Sequence, residues 1–256
     1  MMDKLANKNQ QKYIKFFSLI GIFGILIVSI YNSAFKNGKF TCNRYILNSY
    51  LYILLVLVLM MLEILYLDTE GVKVMDIYKF IPGITGFIVG IMLLISILYI
   101  LMKIPPKNVF IKHTVWILFS LMLGILAYPA YMKSKNENTL VSVMFSLIAI
   151  LVVFSAVAFI KPEWISLSWG PVLFFVLLGV IILQLIKLFF YKEVGNPKAL
   201  SYFIIVLFIF FLLYDTKLIQ VNAKRCKTET ADYINESLGI ILDILNLFQN
   251  LVMIQN

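Results

Sequence analysis

Uninterrupted apolar runs, each long enough to cross the hydrocarbon of a bilayer, recur from one end of this chain to the other. A spanning helix needs about 20 predominantly apolar residues. A membrane β-strand would instead alternate apolar and polar over about ten residues. Runs such as LVSVMFSLIAILVVFSAVAFI do not alternate. The chain of 256 residues is 62% hydrophobic and only 14% charged, whereas a soluble domain is about half apolar and a quarter charged. The expected fold is all-α, a polytopic transmembrane helix bundle.

Eight apolar segments are expected, over residues 14–31, 45–67, 80–102, 114–131, 140–160, 169–188, 199–221 and 233–254. The first follows Lys4, Lys8 and Lys12 and resembles a signal peptide, but it is long for one and lacks a clean small-x-small cleavage site, so a retained helix is expected. The third opens on Ile-Pro-Gly and offers a small-residue face through Gly83, Gly86 and Gly90. The fourth carries Pro129 near its end. The longest connections, residues 32–44 and 222–232, are too short to fold as soluble domains. Residues 1–43 therefore read as a tail and an additional N-terminal helix, and residues 44–256 as one membrane domain.

The net charge of +9 sits almost wholly in short loops, where Lys and Arg anchor helices at headgroups. Aromatic–basic interleaving of the RNA-binding kind is absent, so no nucleic-acid partner is expected. Across eight spans, eleven cations fall on each side, which leaves orientation undetermined. A seven-span core would place Lys224, Arg225 and Lys227 in the cytosol. The two cysteines, Cys42 and Cys226, lie near segment ends, and no disulfide is expected between them. A single histidine, His113, rules out a His-rich metal site.

The last quarter holds two carboxylates where hydrocarbon is expected. Asp215 lies in FIFFLLYDTKLIQ and Asp243 in SLGIILDILNLF. On insertion scales a mid-membrane carboxylate costs about 2.5–3.5 kcal/mol. Around Asp243, the positions that share its helix face hold Glu236, Gly239, Asn246 and Asn250, a polar stripe that must face protein or water. One turn-pair beyond Asp215 comes Asn222. Lys217, two residues from Asp215, points elsewhere and is expected to snorkel. Two carboxylates close together in low dielectric cannot both ionise cheaply and share a proton. Such a pair can respond to pH or yield its proton to Ca²⁺, which prefers oxygen ligands. Alternatively, each aspartate separately bonds a neighbouring helix and only holds packing. Glu63 is read as such a structural group near the interface.

At these residues the chain resembles the transmembrane Bax inhibitor motif family over roughly residues 44–255. RYIL at 44–47, FSLMLGILAYPA at 119–130 and FIKPEWISLSWGPVLF at 159–174 are similar to stretches of that family, and YDTKLI at 214–219 with YINESLGIILDILNLFQNLV at 233–252 is similar to its two C-terminal signatures. The resemblance implies a Bax-inhibitor-like seven-helix core with the last helix central, here preceded by one additional span. It implies a pH-sensitive calcium leak with Asp215 and Asp243 as a paired latch and as candidate Ca²⁺ ligands, and protection against cell death in eukaryotic members. Some members close the latch with an arginine near the end of the second core helix. This chain has only Lys103 and Lys107 there, and a lysine lacks the bidentate fork.

The expected function is a cation leak with calcium as the permeant ion, and no cofactor. The bilayer, calcium and other membrane proteins are the expected partners, and the particular membrane is left open. An intramembrane aspartyl protease is disfavoured: Tyr214-Asp215 fits one of its motifs, but Asp243 follows Ile240-Ile241-Leu242 rather than Gly-x-Gly. A non-conducting structural or partner-binding protein, such as a viral or organellar membrane component, is the alternative.

Overall fold

A computed structural model describes residues 2–74, 83–190, 197–227 and 231–256. Its elements in chain order are α1 (Met2–Ala34), β1 (Phe35–Lys36), β2 (Lys39–Phe40), α2 (Tyr45–Thr69), α3 (Gly83–Lys103), α4 (Val109–Asn136), α5 (Leu140–Ile160), a 3₁₀ turn (Pro162–Trp164), α6 (Trp169–Phe190), α7 (Pro197–Arg225) and α8 (Tyr233–Gln255). Seven helices among the described residues are long and apolar enough to span a bilayer, and Met92–Lys103 of α3 is a shorter apolar helix. The all-α polytopic bundle is therefore what forms. Residues 80–82 and the packing faces of Gly83 and Gly86 lie outside the described residues.

The chain divides into two compact units. The first comprises Met1–Pro129 and Cys226–Ser237, the second Ala130–Arg225 and Leu238–Asn256.

In the first unit α1 packs along α2. A two-residue hairpin joins them, with Phe35 opposite Phe40 and Lys36 opposite Lys39. Its turn residues, Asn37 and Gly38, have φ of 54° and 72°. An Asn-Gly pair meets that demand because both residues tolerate the left-handed region, whose twist suits a tight hairpin. Below the hairpin an aromatic cluster gathers Phe40, Tyr52, His113, Trp116 and Tyr233. The Tyr52 hydroxyl and His113 Nε2 lie 2.7 Å apart. Tyr233 donates its hydroxyl proton to the Thr41 carbonyl.

The first unit also contains a disulfide between Cys42 and Cys226, whose Cα atoms are 5.8 Å apart. This corrects the expectation of unpaired thiols. Separation along the chain carried no information about proximity, because within the first unit Cys42, just past the hairpin, lies beside Cys226.

In the second unit α7 packs against both α5 and α6. Ala158, Ile165 and Leu213 form a buried cluster with Phe154, Val157, Trp169 and Ile209 around it. Carbonyls at a helix end lack intrahelical donors, and α7 supplies a donor both to the last turn of α5 and to the turn that follows it. Gln220 Nε2 donates to Ala158 O at 2.9 Å, and Lys217 Nζ donates to Pro162 O at 2.9 Å. Lys217 therefore ties α7 to the α5–α6 turn, at a carbonyl that also accepts from Ile165 N–H. The end of α8 is tied in by Gln255 Nε2, which donates to Ser146 Oγ at 3.1 Å, and by the Thr139 hydroxyl, which donates to Asn256 Oδ1 at 2.7 Å.

The spans differ sharply in enclosure. In α8 61% of the apolar window is buried, against 11% in α1 and in α6. α8 is thus the most enclosed of these spans, chiefly through Ile240, Ile241, Ile244 and Leu247, while α1 and α6 present large apolar side chains outward, as a bilayer requires.

Candidate functional site: a paired-carboxylate cavity

Within the second unit, α6, α7 and α8 enclose a cavity of about 790 Å³. Asp215 reaches it from α7, and Asp243 and Asn246 reach it from α8. Most of the wall is apolar, including Phe174, Phe175, Phe208 and Phe211.

Two glycines make the close approach possible. A Cβ on Gly239 would overlap the Asp215 carboxylate, and one on Gly170 would overlap the Tyr214 ring. Gly239 lies one turn before Asp243, so its notch seats Asp215 against α8 beside the second acid. Asp243 is 3% exposed. Its carboxylate meets that of Asp215 as a hydrogen-bonding and Coulombic partner. Its other oxygen, Oδ2, is buried with no hydrogen-bond partner among the described residues.

The remaining members of the expected stripe separate. Asn246 lines the cavity, with its amide donating to Leu242 O at 2.9 Å. Asn250 donates to Asn246 O at 2.9 Å, which extends the polar ladder along α8 without reaching the wall. Asn222, half-buried near the end of α7, is likewise not part of the wall. Glu236 belongs to the first unit and hydrogen-bonds the Tyr45 hydroxyl. It shares a helix face with Asp243 but stands two turns away, close to the helix start, where another partner is nearer.

Glu63 is half-buried, with Oε2 enclosed and unpartnered among the described residues, and it lies in a notch at Gly124 of α4. Glu63 is thus packed against α4, six residues before the end of α2 at Thr69. Lys103 stands over the Tyr99 ring at 5.5 Å, and Lys107 is exposed. The buried lysine of this region is Lys112, in the first turns of α4. Its Nζ donates to Ile104 O at 2.8 Å and to Asp232 Oδ2 at 2.5 Å. An apolar run beginning at 114 leaves Lys112 in the preceding loop; α4 instead starts at Val109, and its first turn brings Lys112 to Asp232. Burial holds the Asp232 carboxyl above the usual carboxylate range, against the opposing pull of Lys112.

Among the described residues, no group of three or more His, Cys, Asp or Glu side chains converges as a metal cluster. Among the described residues, the acids that line the cavity are Asp215 and Asp243.

Spanning helices, exposed apolar flanks and an enclosed acidic pair define a multi-pass integral membrane protein with an intramembrane polar site. The chain belongs to the Bax inhibitor family: residues 42–256 match the family described as inhibitor of apoptosis-promoting Bax1. Comparison with curated proteins and with solved structures gave no match.

Proposed function

We propose that this protein is a cation leak whose permeant ion is calcium, gated by the proton that Asp215 and Asp243 share. The observation that carries the reading is their convergence from successive helices onto one cavity, with a glycine cut away to let them meet. With one proton between them, the acids hold α7 and α8 together. With none, two negative charges face each other in low dielectric and repel. Ca²⁺ takes six to eight oxygen ligands; two carboxylates supply up to four, and Asn246, backbone carbonyls and water supply the rest. Passage requires binding weak enough to release, and so small an acidic set suits a transit site better than a storage site.

The test is Ca²⁺ flux into proteoliposomes of the purified chain as pH is varied. Wild type conducts and responds to pH. Asp215→Asn with Asp243→Asn abolishes that response. Unchanged flux in the double variant overturns the reading.

The alternative is a non-conducting membrane component that protects against cell death through protein partners. It is favoured by α1, which lies outside the family match and exposes Phe17 and Ile25, each 67% accessible. Co-purification of a partner lost on deleting residues 1–41, with no flux in either form, would establish it.

A further inference from the structure

The cavity is larger and more apolar than a passing ion needs. At about 790 Å³ it falls within the range of small-molecule sites, about 300–1,000 Å³. Its rim is formed by outward-facing apolar residues of α6: Phe174 is 58% exposed and Phe175 68%. These side chains face lipid, so the occupant arrives from the bilayer. Phe208 and Phe211 line the interior, and at the inner end lies Asp243, 97% enclosed, with Oδ2 unpartnered among the described residues.

Four phenyl rings around a buried carboxylate select one ligand chemistry. The acid attracts a cation, the ring faces also attract a cation, and the walls take an apolar body. A hydrated metal ion uses neither rings nor walls, and a lipid acyl chain leaves the carboxylate unpartnered. We propose that this cavity binds a compact lipophilic amine, with its ammonium on Asp243 and its apolar body among Phe174, Phe175, Phe208 and Phe211. The inference rests on the reading that the aspartate pair exchanges a proton, and it adds a regulator to that site.

The step is an acid–base transfer. The neutral amine partitions into hydrocarbon and enters past the α6 rim. The shared carboxyl proton moves to the amine nitrogen, the O–H bond breaks as the N–H bond forms, and an ammonium–carboxylate pair remains. The bound cation occupies the acids in place of Ca²⁺ and blocks flux.

The experiment measures equilibrium binding of radiolabelled imipramine, a tricyclic tertiary amine, to the full chain in phosphatidylcholine nanodiscs. Iminodibenzyl, the same tricycle without the aminoalkyl chain, is the competitor. Saturable binding is expected at about one site per chain, weakened at least tenfold in Asp243→Asn and severalfold in Phe175→Ala, with little displacement by iminodibenzyl. The exposure of Phe175 leaves folding of its variant unaffected, so loss there reports the site even if the aspartate variant misfolds. Binding that survives in both variants, that iminodibenzyl displaces equally well, or that does not saturate overturns the proposal in favour of lipid-like partition. Absence of saturable binding beside normal flux overturns the amine site alone. Binding without any flux overturns the leak and leaves the site standing.

Discussion

Lys112 Nζ lies 2.5 Å from Asp232 Oδ2, and the lysine side chain is wholly buried. The two residues are 120 positions apart. The pair joins the first turns of α4 to the residue preceding α8, so it positions the start of the helix that carries Asp243.

Breaking this pair is expected to be costly. Removing one partner of a buried ion pair leaves an uncompensated charge, a loss of about 3–5 kcal/mol. Lys112→Met should lower the thermal midpoint in detergent clearly more than Lys103→Met, whose ammonium is exposed. Lys112→Met combined with Asp232→Asn should recover part of the loss, because no lone charge remains.

The same pair predicts a pH slope. Asp232 is raised above its ordinary value chiefly by burial, and Lys112 offsets only part of that. A raised carboxyl means that the folded state binds the proton more tightly than the unfolded state. Its stabilising contribution is full below the ordinary carboxylate range and is lost as pH rises through the folded value. Thermal midpoints measured upward from about pH 4 should fall through that window for this contribution. The fall should steepen in Lys112→Met and vanish in Asp232→Asn.

The Cys42–Cys226 disulfide closes a separation of 184 residues. Its loss should destabilise the fold by about 2–5 kcal/mol, and the oxidised chain should run faster than Cys42→Ser on a non-reducing gel. Disulfides persist on the oxidising side of a membrane, so Lys224, Arg225 and Lys227 are expected on the non-cytosolic face, opposite to the seven-span charge count. Trypsin cleavage at Lys36 or Lys39 in sealed vesicles, without reductant, checks this.

Gly239→Ala should separate the acids without removing either. The new methyl displaces the Asp215 carboxylate, an overpacking change of about 1–3 kcal/mol. Flux should lose its pH response much as in the double Asn variant, while Gly179→Ala, where a Cβ meets nothing within 4 Å, should behave as wild type.

At the hairpin, Gly38 has φ of 72°. Gly38→Ala places a Cβ in the left-handed region at a cost of about 1–2 kcal/mol. Slower formation of the adjacent disulfide on oxidative refolding is the expected readout.

The chain by itself determined its helices and where hydrocarbon meets charge. Run length sets a span, and the polar face of α8 was legible because Gly239, Asp243, Asn246 and Asn250 recur at helical spacing on an otherwise apolar segment. The Asn37-Gly38 turn is equally local, an Asn-Gly pair between two short runs. What only the tertiary structure decided is which groups meet. Helices such as α5 and α6 are apolar all round, so their sequence marks no face for a neighbour. The joining of Lys112 to Asp232, of Cys42 to Cys226, and of Asp215 to a notch at Gly239 depends on how helices rotate and pack. That is settled by close contact between distant segments, which no local pattern encodes.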